Sequence, residues 1–196
     1  MYKKYLKRII DFILSFVLII ALSPICLLIS LAIKVETKGP VLFTQNRIGK
    51  YQKLFSIYKF RTMIVETPKN SPTHLLESPE MYITKVGSFL RKTSLDELPQ
   101  LLNVLRGEMS FIGPRPALWN QYDLINEREK RRVHEVLPGL TGWAQINGRD
   151  NLEILTKAQL DSYYVDRISF LFDIRCFFIT IWYVLKRTGV IEGKII

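Results

Sequence analysis

The chain has 196 residues, with 28 Lys and Arg against 18 Asp and Glu and a formal net charge of +10. This length predicts one domain with a small appendage, and the positive charge favours an anionic partner such as nucleic acid, anionic lipid or a phosphate-bearing substrate. Only two cysteines and two histidines occur. They lack the spacing of a disulfide framework or a zinc site, so any metal is expected to be Mg²⁺ or Mn²⁺ held by carboxylates and phosphates.

The N-terminal segment is apolar enough to enter a membrane. Residues 12–33 contain no charge, and at about 1.5 Å per residue they would form a helix about 33 Å long. Basic residues flank this segment on both sides, which places both of its ends on the cytoplasmic face. Ser23-Pro24 lies near its middle, where proline kinks or breaks a helix. Two interpretations stay open: a broken helix that enters and leaves by one leaflet, and a single span with a kink.

The remaining elements follow from apolar periodicity and turn residues. In chain order, the pattern predicts strands at 41–46 and 53–60, a loop at 66–80, and helices at 84–91, 94–106, about 119–133, 151–165 and 171–187. Gly107 suits the C-terminal end of the predicted helix at 94–106. The predicted fold class is therefore α+β and mostly helical, with a small β-hairpin.

The last predicted helix carries features of a membrane surface. Its apolar face bears Trp182 and Tyr183, and Lys186 and Arg187 follow, which is the pattern of an amphipathic interfacial helix. An ordinary core helix is the alternative. Asp173 and Arg175 interrupt the same helix, either as a buried pair near the site or as its solvated face.

Two adjacent carboxylates, Asp96 and Glu97, stand in the segment TSLDELPQ at 93–100. A structural role explains them well, because Ser94 and Glu97 have the spacing of a capping box and acidic residues suit the first turn of a helix. Pro99 favours a catalytic role for the pair, since it deletes a backbone hydrogen bond and distorts the turn that holds both acids.

Cations near these carboxylates favour a phosphate-bearing substrate. Arg91 and Lys92 precede the pair, and Arg115 lies between two prolines in a stiff turn. A carboxylate can attack phosphorus as a nucleophile, and a second one can hold Mg²⁺. Lys59 and Arg61 either add positive potential or mark a solvated strand end.

Three segments in series resemble the bacterial sugar transferases, the small monotopic phosphoglycosyl transferases. They are VLFTQNRIGKYQKLFSIYKFRTM, SLDELPQLLNVLRGEMSFIGPRP and PGLTGWAQINGR, and the resemblance extends over nearly the whole chain. It implies a minimal family member that transfers a sugar 1-phosphate from a UDP-sugar to undecaprenyl phosphate and releases UMP. It also implies a membrane segment of residues 1–36, a catalytic domain of residues 37–196 and a place on the cytoplasmic face of the bacterial cell membrane.

The resemblance assigns roles to individual residues as well. Asp96 is expected to be the nucleophile of a ping-pong reaction with a covalent phosphosugar intermediate, and Glu97 is expected to bind Mg²⁺. Ser23-Pro24 is expected to break a re-entrant membrane helix. The substrate-binding candidates are Arg91 and Arg115 for the diphosphate, and Gln145, Asn147 and Arg149 for the nucleotide or sugar, although a structural turn would also explain the loop at 136–150.

Three rival functions remain at this point. A membrane-tethered scaffold would use the basic surface to recruit anionic lipid or an assembly partner. A nucleic-acid binder is suggested by charge alone, without a recognisable motif, and is not expected. A lipid-linked hydrolase would share Asp96 and Mg²⁺ but release the sugar phosphate to water. The sequence leaves open the sugar, the glycan pathway (capsule, exopolysaccharide, O-antigen or glycoprotein) and a possible homo-oligomer.

Overall fold

The computed structural model describes residues 1–67, 79–148 and 152–186. Most of the predicted loop at 66–80 lies outside this part, as do Arg149 and Arg187. The α-helices of the described residues are α1 Lys7–Glu36, α2 Lys85–Thr93, α3 Leu101–Arg106, α4 Tyr122–Glu129, α5 Trp143–Ile146, α6 Ile154–Asp166 and α7 Phe170–Lys186. The strands there are β1 Leu42–Ile48, β2 Leu54–Phe60, β3 Ser110–Ile112 and β4 Gly139–Thr141. The prediction of a mostly helical fold with a small hairpin is confirmed.

Helix α1 is long and apolar enough to cross a membrane by length and composition, with a mean hydropathy of 2.9 over its most apolar window. It stays helical on both sides of Pro24, and the Ser23 hydroxyl donates to the carbonyl of Ile20 at 2.8 Å. Its buried residues lie only toward its two ends, at Asp11 and Ser15 and at Ile29 and Ile33. The prediction that the helix breaks and re-enters at Ser23-Pro24 stays a prediction.

The predicted hairpin is confirmed as an antiparallel pair, β1 and β2, with Leu42 opposite Phe60 and Ile48 opposite Leu54. Helix α3 is fastened to it by the fully buried Asn103. The amide nitrogen of this side chain donates to the carbonyl of Ser56 at 2.8 Å, and its oxygen accepts from the backbone N–H of Tyr58 at 3.1 Å. These bonds hold the second half of β2 in place.

A second, smaller sheet was not predicted. Strands β3 and β4 pair in parallel, with Ser110 opposite Gly139 and Ile112 opposite Thr141. The strands have three residues each, which is too short for a clear alternating pattern. Gly139 lets β4 lie very close to the chain that follows β3, because a Cβ at this position would lie 2.1 Å from the backbone nitrogen of Gly113.

The predicted single helix at 94–106 is wrong in its first half. Residues Leu95–Gln100 form a 3₁₀ turn, and the α-helix begins at Leu101. Pro99 accounts for the difference, because proline cannot supply the N–H of an α-helical bond. The capping box is also wrong: Ser94 has a positive φ of 57° and makes no side-chain capping bond. The second half of the predicted helix is confirmed, as is its C-terminal end at Gly107, which has a φ of 81°.

Neither of the two alternatives left open for Asp173 and Arg175 describes both residues, since Asp173 is buried and Arg175 is exposed. Asp173 is buried and forms an ion pair with Lys7 near the start of α1, while it accepts a hydrogen bond from the Tyr164 hydroxyl at 2.7 Å. The guanidinium of Arg175 instead lies 5.4 Å from the ring centre of Trp143. Asp173 therefore joins α7 to the N-terminal end of α1.

Candidate active site

The carboxylate pair lies on a 3₁₀ turn that packs against an apolar cluster to which the membrane-length helix contributes. Leu95 and Leu98 of this turn contact a core cluster that includes Ile29 and Ile33 of α1 and Leu90 of α2. With these leucines anchored, the turn presents Asp96 and Glu97 toward strand β2. Asp96 is 8% exposed, so its carboxylate is largely removed from water.

Lys59, near the end of β2, bridges the two carboxylates. Its Nζ lies 2.7 Å from Oε1 of Glu97 and 3.5 Å from Oδ2 of Asp96. The sequence left Lys59 open between a contribution to positive potential and a solvated strand end, and the structure shows the first. Its neighbour Arg61 has a different place: it is buried and donates to the carbonyls of Lys38 and Thr37 at 2.8 and 3.0 Å.

Two predicted arginines also approach the pair. Arg115 donates from Nη2 to Oε1 of Glu97 at 3.3 Å. Arg91 is close enough for its charge to lower the pKa of Asp96, and its Nε donates to the hydroxyl of Thr62 at 2.9 Å. The site therefore contains two carboxylates within a group of three cations, as expected where a phosphate group binds.

The two carboxylates have opposite pKa shifts. Burial raises the pKa of Asp96, and the nearby charge of Glu97 raises it further, while Lys59 and Arg91 oppose this rise. Burial would also raise the pKa of Glu97, but Lys59 and Arg115 outweigh it and lower that pKa to about 2. Adjacent groups whose environments separate their pKa values are typical of catalytic pairs.

Helix α2, which leads into the pair, is fixed at its N-terminal end by α1. The carboxylate of Glu36 accepts from the backbone N–H groups of Lys85 and Val86 at 2.7 and 3.0 Å. Thr84 caps the next N–H, that of Gly87, at 2.9 Å. Gly87 itself touches the chain after β2, since a Cβ there would lie 2.0 Å from the carbonyl oxygen of Thr62. The position of the carboxylate pair thus depends on the end of α1.

The turn that carries Arg115 is held by hydrogen bonds from several directions. Successive carbonyls accept from donors on different elements: Pro114 from the Gly139 N–H at 2.9 Å, Arg115 from Arg128 Nη1 at 2.8 Å, Pro116 from Arg47 Nη1 at 3.2 Å and Ala117 from the Ile48 N–H at 2.9 Å. The two prolines restrict the backbone further. Arg115 therefore extends from a rigid support.

The candidate residues of the loop at 136–150 are not brought into hydrogen bonds with the carboxylate pair. Asn147 is exposed, and its amide nitrogen donates to the carbonyl of Trp143 at 2.7 Å. Both polar atoms of the Gln145 amide are buried without a hydrogen-bond partner in the described part of the chain. Arg149 lies outside the described residues. The three assignments therefore remain predictions.

The residues present fit Mg²⁺ only if the substrate completes the coordination. Within the described ranges, no group of three or more His, Cys, Asp or Glu side chains could hold a metal ion. Mg²⁺ in phosphate-processing sites is commonly held by one or two carboxylates together with substrate phosphates. Asp96 and Glu97 can supply that share, and both cation contacts of Glu97 reach the same oxygen, Oε1.

Carboxylates among cations, on a turn packed against an apolar cluster, suit chemistry at a phosphate group. Comparison with known proteins agrees: residues 2–187 match the profile of the Bacterial sugar transferase family. The chain belongs to this family and is a transferase.

The relatives confirm the family and differ in length. The chain is 44% identical over 185 residues to an uncharacterized sugar transferase, EpsL of Bacillus subtilis, which covers 94% of this chain and 90% of that protein. It is 43% identical over 188 residues to UDP-glucose:undecaprenyl-phosphate glucose-1-phosphate transferase of Escherichia coli, covering 91% of this chain and 40% of that protein. For UDP-N-acetylgalactosamine-undecaprenyl-phosphate N-acetylgalactosaminephosphotransferase of Aeromonas hydrophila, the identity is 38% over 193 residues, covering 94% and 45%. The chain thus spans less than half of the last two proteins.

Sequence reasoning missed one part of the site entirely, the buried pair of Arg128 and Asp161 behind the Arg115 turn. These residues are 33 positions apart and lie on different helices, α4 and α6. Helical periodicity would have placed both on inward faces, where a charged residue needs a partner. That signal identifies a buried pair but does not reveal its contact with Arg115.

Proposed function

We propose that this protein transfers a sugar 1-phosphate from a UDP-sugar to undecaprenyl phosphate, with release of UMP. The observation that carries the proposal is the meeting of Asp96 and Glu97 with Lys59, Arg91 and Arg115 in a member of this family. Relatives named as undecaprenyl-phosphate sugar transferases support the substrate class. Their names specify glucose, galactose and N-acetylgalactosamine, so the sugar is left to experiment.

In the first half-reaction, a carboxylate oxygen of Asp96 attacks the phosphorus that bears the sugar. An acyl-phosphate bond forms, the bond to the bridging oxygen of the diphosphate breaks, and UMP leaves with the electron pair. Arg91 and Arg115 bind the diphosphate and offset its charge. Lys59 favours the ionised form of Asp96, because its charge opposes the rise in the pKa of Asp96 that burial causes.

In the second half-reaction, a phosphate oxygen of the polyprenol acceptor attacks the same phosphorus. The bond to Asp96 breaks, the carboxylate is regenerated, and a polyprenyl diphosphate sugar leaves. In both half-reactions, Glu97 and the substrate phosphates would hold Mg²⁺, which would neutralise charge on the phosphate oxygens and, in the first of them, assist departure of UMP. The product would be the lipid-linked first intermediate of a cell-surface glycan.

We also propose that α1 enters and leaves the membrane by the cytoplasmic leaflet. Both of its ends contact the same body of the protein: Arg8 donates to the carbonyls of Val104 and Leu105 at 2.6 and 2.8 Å, and Glu36 accepts from α2. The middle of the helix is mostly exposed. A helix that crossed the bilayer would separate its two ends by about 30 Å of hydrocarbon.

Helix α7 is proposed to lie along the surface of the same cytoplasmic leaflet. Among its described side chains, seven large apolar ones are exposed: Phe170, Leu171, Phe177, Phe178, Ile181, Trp182 and Tyr183. Lys186 lies with its Nζ 4.3 Å from the ring centre of Trp182. Aromatic side chains beside a basic residue suit the boundary between acyl chains and headgroups. This surface would keep the carboxylate pair near the phosphate of the lipid acceptor.

The function is tested by UMP release from the purified protein in lipid nanodiscs with Mg²⁺. A panel of UDP-sugars is supplied with and without undecaprenyl phosphate, beside Asp96→Asn and the matched control Asp123→Asn, an exposed residue on α4. Turnover that requires both substrates, fails in Asp96→Asn and survives in Asp123→Asn is expected. Continuous UMP release without acceptor would indicate the hydrolase, and full activity of Asp96→Asn would exclude this residue as nucleophile.

The topology is tested separately by labelling single cysteines in inverted and right-side-out vesicles. A cysteine at Lys4 and another at Lys38 are introduced into a variant in which Cys26 and Cys176 are replaced by serine. Re-entry predicts that a membrane-impermeant reagent labels both positions from the cytoplasmic side. Labelling of the two positions from opposite sides would show a single span.

A further inference from the structure

A buried ion pair lies behind the turn that carries Arg115. Arg128 on α4 donates from Nε and Nη2 to Oδ2 of Asp161 on α6, at 2.9 and 2.6 Å. The two residues are only 2% and 1% exposed. The remaining nitrogen of the guanidinium, Nη1, donates to the backbone carbonyl of Arg115 at 2.8 Å. One side chain therefore joins two helices to the residue that contacts Glu97.

Stability alone gives a poor reason for this pair. Burying two charges is costly, and replacing a buried ion pair by apolar residues of similar volume is often neutral or stabilising. The pair is also incompletely satisfied, because Oδ1 of Asp161 is buried without a hydrogen-bond partner in the described part of the chain. The contact with Arg115 is the feature that apolar residues could not reproduce.

The geometry of a guanidinium allows Arg128 to bind Asp161 and the backbone of Arg115 at the same time. Its planar fork can bind one carboxylate along one edge and still present an N–H group in a fixed direction from the other. Asp161 holds the plane of Arg128, and Arg128 in turn holds the carbonyl of Arg115. A lysine at this position would keep the charge but could not make the three contacts with this geometry.

The contact matters because the side chain of Arg115 is long and 41% exposed. Its reach to Glu97 depends on where its backbone is held. The carbonyls on either side are fixed by the Gly139 N–H and by Arg47. Without Arg128, the carbonyl of Arg115, which lies between these two, would lose this hydrogen-bond donor.

We propose that Arg128, oriented by Asp161, is a positioning residue of the active site. It acts through the backbone of Arg115 and places that guanidinium to meet the diphosphate of the nucleotide-sugar donor. The inference rests on the proposed function, since it assumes a UDP-sugar at the carboxylate pair. It does not require Arg128 to touch the substrate.

The test is a double-mutant cycle read by the affinity for UDP. Calorimetry in nanodiscs with Mg²⁺ compares the wild type, Arg128→Lys, Arg115→Ala and the double variant. Arg128→Lys is expected to weaken UDP binding about tenfold, the effect of one charge-assisted hydrogen bond. In the Arg115→Ala background the same change is expected to have no further effect, because residues that act through one another are not additive.

Two controls separate positioning from folding. Arg132→Lys changes an exposed arginine paired with Glu135, just after α4, and should leave UDP affinity unchanged. The double substitution Arg128→Met with Asp161→Leu removes both charges and keeps a similar volume. It should retain a thermal unfolding midpoint close to that of the wild type and still bind UDP about tenfold more weakly.

Two results would overturn the inference. One is wild-type UDP affinity in both Arg128→Lys and the folded apolar pair. The other is an equal loss in the presence and absence of the Arg115 side chain, which would show that Arg128 acts on the fold at large. Failure of the wild type to bind UDP at all would instead refute the proposed donor, and the inference with it.

Discussion

Lys59 and Glu97 form the shortest ion pair of the candidate site, with 2.7 Å between Nζ and Oε1, and the same ammonium group lies 3.5 Å from Asp96. One cation therefore separates two adjacent carboxylates that would otherwise repel each other. Lys59→Met is expected to lower kcat/KM for the UDP-sugar about 100-fold, the usual effect of removing one group that stabilises charge in an active site. Steady-state UMP release measures the effect.

The matched control for this change is Lys130→Met, which removes a lysine paired with Glu127 on the exposed side of α4. It should leave the rate unchanged, because exposed pairs contribute little. Lys59→Arg should recover part of the activity by keeping the charge. Equal rates for Lys59→Met and Lys130→Met would show that the bridge is dispensable.

Glu97→Gln is expected to raise the Mg²⁺ concentration for half-maximal activity at least tenfold. The amide keeps the shape of the side chain but loses the negative charge that a hard cation requires. Glu127→Gln is the control, because Glu127 is also paired with one lysine and one arginine. Binding of Mn²⁺ in the presence of UDP, followed by electron paramagnetic resonance, gives a readout without turnover. Unchanged Mn²⁺ affinity in Glu97→Gln would remove Glu97 as a metal ligand.

Gly87→Ala is expected to destabilise the protein by about 1–3 kcal/mol, the usual cost of overpacking. A Cβ at this position would lie 2.0 Å from the Thr62 carbonyl, so α2 or the chain after β2 must move. Because α2 leads directly to Asp96, activity should fall at temperatures where the protein is still folded. Thermal unfolding and UMP release are compared with Ser88→Ala on the same helix. A wild-type unfolding midpoint and wild-type UMP release in Gly87→Ala would mean that the chain at Thr62 can move to accommodate the added Cβ.

His134 is expected to make the protein less stable in mild acid. Burial, together with the charge of Arg128, lowers the pKa of its imidazole below the usual 6.5. The unfolded chain therefore binds a proton near pH 6.5 that the folded protein does not. As a result, stability decreases as pH falls from 6.5 toward the folded pKa, by at most about 1.4 kcal/mol per pH unit.

His134→Gln removes this titration and keeps an N–H donor near the Ile125 carbonyl. Unfolding midpoints of both proteins are measured between pH 7.5 and 5.5 in the same detergent. The wild type should lose more stability over this interval than the variant. Parallel curves would show that His134 titrates alike in the folded and unfolded chains.

Local patterns predicted the hairpin and the ends of several helices, because strand alternation and helical periodicity depend on nearby residues. Residues 94–106 divide near Pro99 into a 3₁₀ turn and an α-helix, whereas the sequence predicted only that Pro99 distorts a single helix. The resulting 3₁₀ turn places Leu95 and Leu98 against a cluster that includes Ile29 and Ile33 of α1, a contact between segments distant in sequence. The capping box was a reasonable local solution, but Glu97 gains more from Lys59 and Arg115, which no local pattern reveals.

The candidate site shows the same division between local and distant information. Asp96, Glu97, Arg91 and Arg115 could be predicted from the sequence because their neighbours and the family resemblance single them out. The bridging position of Lys59 depends on how β2 lies beside the 3₁₀ turn. The link from Asp161 through Arg128 to Arg115 requires α4 and α6 to meet, which is a property of the tertiary structure.

The carboxylate of Glu36 belongs to the last residue of α1 and caps the helix that leads to Asp96. A change in the depth of α1 would be transmitted toward Asp96 by this side chain, together with the apolar packing of Leu95 and Leu98. Lipids with shorter or longer acyl chains change the preferred depth of an apolar helix. The rate of the enzyme should therefore vary with bilayer thickness, and Glu36→Gln should weaken that dependence.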